Sequence, residues 1–259
     1  MRFQNRTLAA FSILATKFSD DRIIMAADSR ATDAKGHRID DLECKIRVID
    51  TNLVFVAGAK ANVSINNKTF LDADQIAVSV RQGNSTANIK TVATLWGQEM
   101  KSAFEKLGKL NRAGLLSMLE KNQAVALGVF AGTESDGHIS VYFVEMGYDI
   151  VDGNIVFPTT VTPIEHGTGS FFFHGSAAFM EFVSGNTKRA QERRIRLAWE
   201  LASKHVKDVE PAYLIAGVQA AIDWSNDEAI GGDVDALVLH KGGKIEWLQK
   251  KKTCYQPPK

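Results

Sequence analysis

The chain has 259 residues, of which 45% are hydrophobic and 24% charged, a balance that is typical of a globular protein and excludes a fibrous repeat or a disordered chain. Its 31 basic and 30 acidic side chains leave a formal net charge of +1, too small to indicate nucleic acid or an anionic membrane as a partner. No apolar run reaches the roughly 18 residues that a membrane span needs. We expect a single domain over residues 1–259, because α/β sandwiches often use this length for one core.

Strand patterns come first along the chain. Apolar stretches over 8–18 and 23–27 flank a polar turn, and stretches over 46–49 and 53–57 flank a second one, so two hairpins are predicted. The polar stretch 29–43 is expected to be a loop between them. Four strands would therefore precede the first helix.

Helical spacing follows, and strands return twice. Apolar residues recurring at three and four predict helices over 72–82 and 88–107 and a short helical piece ending near Asn122. Strands are expected over 124–131 and 138–145, helices over 176–205 and 210–224, strands over 235–240 and 245–249, and a loose tail over 250–259. This order does not fit regular βαβ alternation. It predicts an α/β (α+β) fold, a four-layer αββα sandwich of two antiparallel sheets flanked by helices.

Four stretches carry a resemblance to a known family. They read Ile-Ile-Met-Ala-Ala-Asp-Ser-Arg-Ala-Thr at 23–32, Lys-Ile-Arg-Val-Ile-Asp at 45–50 with Phe-Val-Ala-Gly at 55–58, Gly-Thr-Gly-Ser at 167–170, and Asp-Glu-Ala-Ile-Gly-Gly at 227–232. In order and spacing they resemble the β-type subunits of the proteasome and HslV family, which have the N-terminal-nucleophile hydrolase fold. The resemblance spans residues 11–248.

The resemblance implies a chemistry for these residues. A hydroxyl at a mature N-terminus is a weak nucleophile, and the free α-amine, with a pKa of about 8, would take its proton. Lys45 would tune that amine, Asp28 would hold the Lys45 ammonium in place, and Arg30 would brace Asp28. The backbone N–H of Gly58 would face the developing oxyanion. The site would be closed from the other side by Thr168, Gly169, Ser170 and Asp227.

The family's N-terminal threonine is absent here. Counting back from Asp28 along the family's spacing reaches Ser12, or Phe11 if one residue is inserted in the turn. Phe11 stands where the family usually has glycine, and Ile230 and Thr168 stand where it has serines. Ser12 could therefore act only if internal cleavage removed residues 1–11 as a propeptide.

Two functions remain open at this point. The first is a threonine/serine-type N-terminal-nucleophile peptidase, proteasome-like, that hydrolyses peptide bonds in intracellular protein degradation. The second is a catalytically inactive subunit of the same fold that serves as an assembly module or binds a peptide or amide.

Cysteine and histidine usage points away from disulfides and metals. Cys44 and Cys254 are too few for the disulfide framework of a small secreted domain, which favours a reducing, cytoplasmic location. Cys44 next to Lys45 could be an activated thiol or a small buried apolar residue. The histidines form no metal-binding motif, so neither a metal nor another cofactor is expected.

The expected partners follow from the fold. The helices over 176–224 carry Phe179, Phe182 and Trp199, which a ring-shaped homo-oligomer would cover. The resemblance also implies a peptide or unfolded protein as substrate and is compatible with an ATP-dependent unfoldase as a further partner. Nucleic acid and membrane are not expected.

Overall fold

A computed structural model describes residues 3–4, 13–19, 21–32, 38–65, 68–119, 124–164, 171–175, 177–226, 230–250 and 254. These residues contain 17 strands and six helices. The strands are β1 (Phe3–Gln4), β2 (Ile13–Phe18), β3 (Arg22–Ala27), β4 (Ala31–Thr32), β5 (Arg38–Asp40), β6 (Ile46–Asp50), β7 (Leu53–Ala59), β8 (Asn62–Ile65), β9 (Lys68–Asp72), β10 (Ala126–Thr133), β11 (Ile139–Met146), β12 (Asp149–Val151), β13 (Asn154–Val156), β14 (Thr159–Pro163), β15 (Phe171–Gly175), β16 (Asp235–His240) and β17 (Ile245–Gln249). The helices are α1 (Ala73–Gly83), α2 (Ile89–Leu110), α3 (Arg112–Met118), α4 (Ala177–Ser184), α5 (Lys188–Ser203) and α6 (Glu210–Trp224).

Two five-stranded antiparallel sheets form the body of the molecule. Their strand orders are β14-β11-β10-β7-β6 and β15-β2-β3-β16-β17. Alternate residues of both sheets meet in one apolar cluster that includes Leu14, Met25, Val54, Val129 and Leu237. Because side chains alternate across a strand, the opposite faces of both sheets are left for the helices to cover.

The helices complete the outer layers. Helices α1 to α3 cover the β6-to-β14 sheet, burying Trp96 and Phe104 in a second cluster. Helices α4 and α6 cover the other sheet, where Phe179 and Val218 lie in a third cluster. The layer order is helix, sheet, sheet, helix. The predicted αββα sandwich is confirmed.

Helix starts agree with the sequence because the capping residues are local signals. The Asp72 carboxylate accepts hydrogen bonds from the backbone N–H groups of Asp74 and Gln75 at the start of α1, and Asn88 caps α2 through the N–H of Thr91. Such caps satisfy N–H groups that have no partner within the helix. Helix α6 and strands β16 and β17 also have the predicted bounds.

Two expectations about the elements were wrong. The single helix over 176–205 is divided into α4 and α5 at Gly185, whose φ of 66° is a left-handed conformation that ends a helix, and Thr187 caps α5. In the described part of the chain nine strands, not four, precede α1. The additional strands are short, and β5 is exposed along its whole length, so no alternation of apolar and polar residues marked it.

The apolar residues expected at a subunit interface behave differently from one another. Phe179 and Phe182 are buried within the chain itself, at 0% and 2% exposure, so they leave nothing for a second subunit to cover. Trp199 on α5 is 74% exposed and Ile195 is 59% exposed. Of the three residues named in the expectation, Trp199 is the one that remains exposed, and with Ile195 it forms the α5 patch.

Candidate functional site

The end of β3 and the start of β6 bring Asp28 and Lys45 together at one edge of the sandwich. Asp28 directly follows β3, and Lys45 directly precedes β6. Ala27, the last residue of β3, lies opposite Leu14 near the start of β2 and opposite Asp235 at the start of β16. The beginning of β2 therefore lies beside the strand end that carries Asp28.

Lys45 and Asp28 form a buried ion pair. The Lys45 Nζ donates a hydrogen bond to Asp28 Oδ1 at 2.7 Å, and the two residues are 8% and 0% exposed. The other carboxylate oxygen, Oδ2, accepts the backbone N–H groups of Gly231 at 3.1 Å and Arg30 at 3.4 Å. The predicted contact between Lys45 and Asp28 is confirmed. A charged pair at this depth is stable only while both partners are present.

Arg30 connects three segments around this pair. Its guanidinium forms a salt bridge with Asp41, with Nε 2.7 Å from Oδ1, and donates a hydrogen bond to the carbonyl oxygen of Ile230 at 3.0 Å. Its backbone N–H contributes the bond to Asp28. Arg30 thus supports Asp28 through the main chain, and its side chain fastens Asp41 and the 230–231 segment beside it.

Ser29, which the sequence reasoning did not single out, is a second connecting residue. Its Oγ donates to the carbonyl oxygen of Asp41 at 2.6 Å and accepts the backbone N–H of Asp233 at 2.8 Å. A Cβ on Gly232, which has a φ of 77°, would collide with Ser29 Oγ, and a Cβ on Gly231 would collide with the Arg30 guanidinium. Gly232 is therefore required by its left-handed backbone and its close packing against the turn that carries Asp28, whereas a side chain at position 231 would have to displace the Arg30 guanidinium.

Gly58 lies within β7, opposite Leu127 of β10. The next residue, Ala59, is buried and has a φ of 59°, a left-handed conformation that is uncommon for a residue with a Cβ. The Lys60 N–H then bonds to the carbonyl oxygen of Val125 at 2.9 Å and holds the chain after this turn. Gly58 itself is paired with Leu127 in the β7–β10 ladder, so its role as the oxyanion donor remains an expectation.

Several predicted site residues fall outside the described part of the chain. These are Phe11, Ser12, Thr168, Gly169, Ser170 and Asp227. Their roles remain expectations. Ile230, which stands in place of a serine of the family, is described and is buried at 6% exposure.

A polar cavity of about 300 Å³ lies near the segments that carry the ion pair, although neither Lys45 nor Asp28 lines it. It is lined by Ala31, Glu43 and Asp74 among others, and by Arg47, which forms salt bridges with Glu43 at 2.8 Å and with Asp74 at 2.6 Å. Burial raises the pKa of Asp74 to about 6 against the opposing charge of Arg47, and burial also raises the pKa of Glu43. The charge of Lys45 lowers the Glu43 pKa in turn, which places the ion pair and the cavity within electrostatic reach.

The raised pKa of Asp74 predicts a pH-dependent stability. A folded-state pKa of about 6 exceeds an unfolded value of about 3.9, so the folded chain binds the extra proton and this contribution to stability is lost as the pH rises between those values. The loss of unfolding free energy caused by Asp74→Asn should therefore be smaller at pH 7 than at pH 4.5. Urea unfolding of the variant and the wild type at both pH values measures it. The exposed Asp152→Asn variant is the control, and equal pH slopes for Asp74→Asn and wild type would contradict the assignment.

The two cysteines form a disulfide bond, which corrects the expectation that both are reduced. Cys44 and Cys254 are joined with their Cα atoms 5.1 Å apart, and both are buried. Cys44 is thus neither an activated thiol nor only a small apolar residue, and the tail over 250–259 is anchored at Cys254. A separation of 210 residues leaves no local pattern from which this pairing could be inferred.

Cys254→Ser should lower the free energy of unfolding by about 2–4 kcal/mol under non-reducing conditions, because a cross-link over a long loop restricts the unfolded chain. Chemical denaturation of both proteins measures the difference. A reductant should lower the stability of wild type to that of the variant and leave the variant unchanged. Identical curves without reductant would show that the disulfide contributes nothing.

Comparisons with known proteins add no relative. No family model matches the chain, and no curated protein matches it either. In the part of the chain that the structure describes, none of the helices combines the length and apolar character that a membrane crossing requires.

Proposed function

We propose that this chain is a proteasome-type N-terminal-nucleophile hydrolase that cleaves peptide bonds, with Ser12 as its nucleophile once the Phe11–Ser12 bond has been cut. The observation that carries the proposal is the buried Lys45–Asp28 ion pair, 2.7 Å between Nζ and Oδ1, at the edge of the sandwich where β2 begins. Ser12 immediately precedes β2 in the sequence. The αββα sandwich and the resemblance of the four motifs support the same class.

The proposed reaction uses the residues in a definite order. The free α-amine of Ser12 accepts the hydroxyl proton as Oγ attacks the scissile carbonyl carbon, and the Gly58 N–H stabilises the oxyanion that forms. The amine then gives the proton to the leaving peptide amine, and an acyl ester on Ser12 remains. Water attacks this ester with the α-amine again as base, which releases the acid product and restores the serine.

Lys45 serves this cycle through its charge. An ammonium near the α-amine lowers that amine's pKa, so that a larger fraction is neutral and able to accept a proton. Asp28 holds the ammonium in position, and the N–H groups of Gly231 and Arg30 fix Asp28 in turn. A charge held by such preformed contacts needs little rearrangement during the reaction.

The second candidate is an inactive subunit that binds a peptide or amide in the same place. It is favoured by Ile230, a buried apolar residue where the family has a serine, and by the absence of the family's threonine. The ion pair would then be a structural remnant that stabilises the edge of the sandwich. Cooperation with an ATP-dependent unfoldase belongs to the first proposal, and so does a cytoplasmic location, although the Cys44–Cys254 disulfide argues against a reducing compartment.

Mass spectrometry of the intact purified protein, with N-terminal sequencing, tests the proposal. The peptidase requires a population that begins at Ser12, whereas protein that keeps Phe11 has its Ser12 nitrogen in an amide bond and has no base there. If all the protein keeps Phe11 yet binds labelled peptides in fluorescence anisotropy without cleaving them, the binding module is supported.

We also propose a homo-oligomer, in which the exposed α5 patch of Ile195 and Trp199 is covered by a neighbouring subunit. Light scattering at micromolar concentration should give a mass that is a multiple of 28.4 kDa. Trp199→Glu should shift that mass toward the monomer, while Met180→Glu on α4, also exposed, is the matched control. A monomer in the wild-type protein would refute the interface.

A further inference from the structure

Three buried side chains next to the ion pair form a cluster that the proposed reaction does not use. The Sγ atoms of Cys44 and Cys254 and a carboxylate oxygen of Asp235 all lie within 4.8 Å of one another. Their exposures are 3%, 6% and 0%. A fully buried carboxylate is uncommon because removing its charge from water is costly unless the charge is paired or binds a metal. Here the carboxylate and two sulfur atoms place three potential metal ligands at one point.

The fold gathers this cluster from three distant parts of the chain. Asp235 begins β16 opposite Ala27, and its alternate neighbours Leu237 and Leu239 belong to the cluster between the sheets, so Asp235 shares their face. Cys44 precedes Lys45, and Cys254 follows β17. The cluster is thus built from the first residue of β16, the segment before β6 and the chain segment beyond β17.

These ligand types suit a zinc-like cation. Zn²⁺ binds cysteine sulfur at about 2.3 Å and carboxylate oxygen at about 2.1 Å in tetrahedral sites, so its ligand atoms are on the order of 3.5–4 Å apart. The three ligand atoms lie within 4.8 Å of one another, and the two sulfur atoms, bonded to each other in the disulfide, would have to separate to on the order of 3.5–4 Å after reduction to reach this geometry. Three protein ligands leave a fourth position for water.

We propose that Cys44, Cys254 and Asp235 bind one Zn²⁺-type divalent cation when the disulfide is reduced, and that the disulfide is the metal-free state of the same site. Reduction by a phosphine such as TCEP consumes one water: the phosphine becomes its oxide, and the sulfurs receive two electrons and two protons. Binding the cation then releases both thiol protons, because thiolates are the ligands. Oxidised protein has no thiolates to offer and does not bind at this site.

The test uses TCEP-reduced full-length protein with Co²⁺ and Zn²⁺ as probes. Titration with Co²⁺ should produce the near-ultraviolet sulfur-to-metal absorption of thiolate ligands with a stoichiometry of one per chain, and Zn²⁺ should displace it. Oxidised wild type and Cys254→Ser should lack that band. Asp235→Asn should weaken binding at least tenfold, since it removes a charged ligand, while the exposed Asp233→Asn variant should bind as wild type.

Two results would overturn the inference. One is reduced protein, with both thiols verified by titration, that binds neither probe at micromolar concentration. The other is binding that is unchanged in both Cys254→Ser and Asp235→Asn, which would locate the metal elsewhere. If reduction alone unfolds the chain, Zn²⁺ should restore a cooperative unfolding transition in wild type and not in Asp235→Asn, because metal binding then contributes folding free energy. Failure of Zn²⁺ to restore it would equally contradict the site.

Discussion

Replacing Lys45 by methionine should lower the free energy of unfolding by about 3–5 kcal/mol, the cost typical of breaking a buried ion pair by removing one partner. Asp28 is wholly buried, and the substitution removes the ammonium 2.7 Å away that compensates its carboxylate in the folded chain. Two backbone N–H groups would still bond to its Oδ2 but would not replace the positive charge. Urea denaturation at neutral pH measures this difference, whether or not the protein has any activity.

A double-mutant cycle separates the ion pair from the size of the side chain. Asp28→Asn combined with Lys45→Met removes both charges, so the pair of changes should cost less than the sum of the two single changes. Lys204→Met, just after α5, breaks an exposed pair with Glu200 and should change stability little. Additive losses at Asp28 and Lys45 would show that the two charges do not depend on each other.

Lys45→Ala should reduce kcat/KM at least a hundredfold in protein that begins at Ser12, measured on short fluorogenic peptides. The physical reason is that the α-amine of Ser12 loses the neighbouring charge that lowers its pKa, so the loss should fall mainly on kcat. The pH at which activity reaches half its maximum should also move upward, which a purely structural role would not cause.

Lys204→Ala is the matched control for that measurement, because it removes an exposed lysine at the end of α5. It should keep the wild-type rate and pH profile. In protein whose chain begins at residue 12, Ser12→Thr should increase the rate of peptide hydrolysis, because the family that the chain resembles uses threonine at this position. A Lys45→Ala protein that is folded and retains full activity would remove Lys45 from the mechanism.

Elements with strong local signals were predicted from the sequence. Helices α1 and α2 have capping residues at Asp72 and Asn88 and apolar residues at helical spacing, so their starts were found to within a residue. The β16–β17 hairpin was indicated by Gly242 and Gly243, whose φ values of 89° and 88° require glycine. Strands such as β5, which is exposed on both faces, gave no such signal.

The candidate site was predictable only where a motif connected its members. The Asp-Ser-Arg motif and the lysine at 45 led to the Lys45–Asp28 pair, but Asp41 was missed because it lies in a polar stretch that resembles a loop. The role of Asp41 depends on its hydrogen bonds with Arg30 and Ser29, which form only in the folded chain and therefore leave no pattern in the sequence. The Cys44–Cys254 bond was missed for the same reason, since it depends on tertiary structure between distant residues.

The most direct test of the proposed function compares peptide hydrolysis by protein engineered to begin at Ser12 with hydrolysis by protein verified to begin at Met1. We predict turnover by the Ser12 form, none by the Met1 form, and none by the Ser12 form after Ser12→Ala, because the hydroxyl and its own α-amine act together. Hydrolysis by the Met1 form that survives Ser12→Ala would contradict the proposed mechanism.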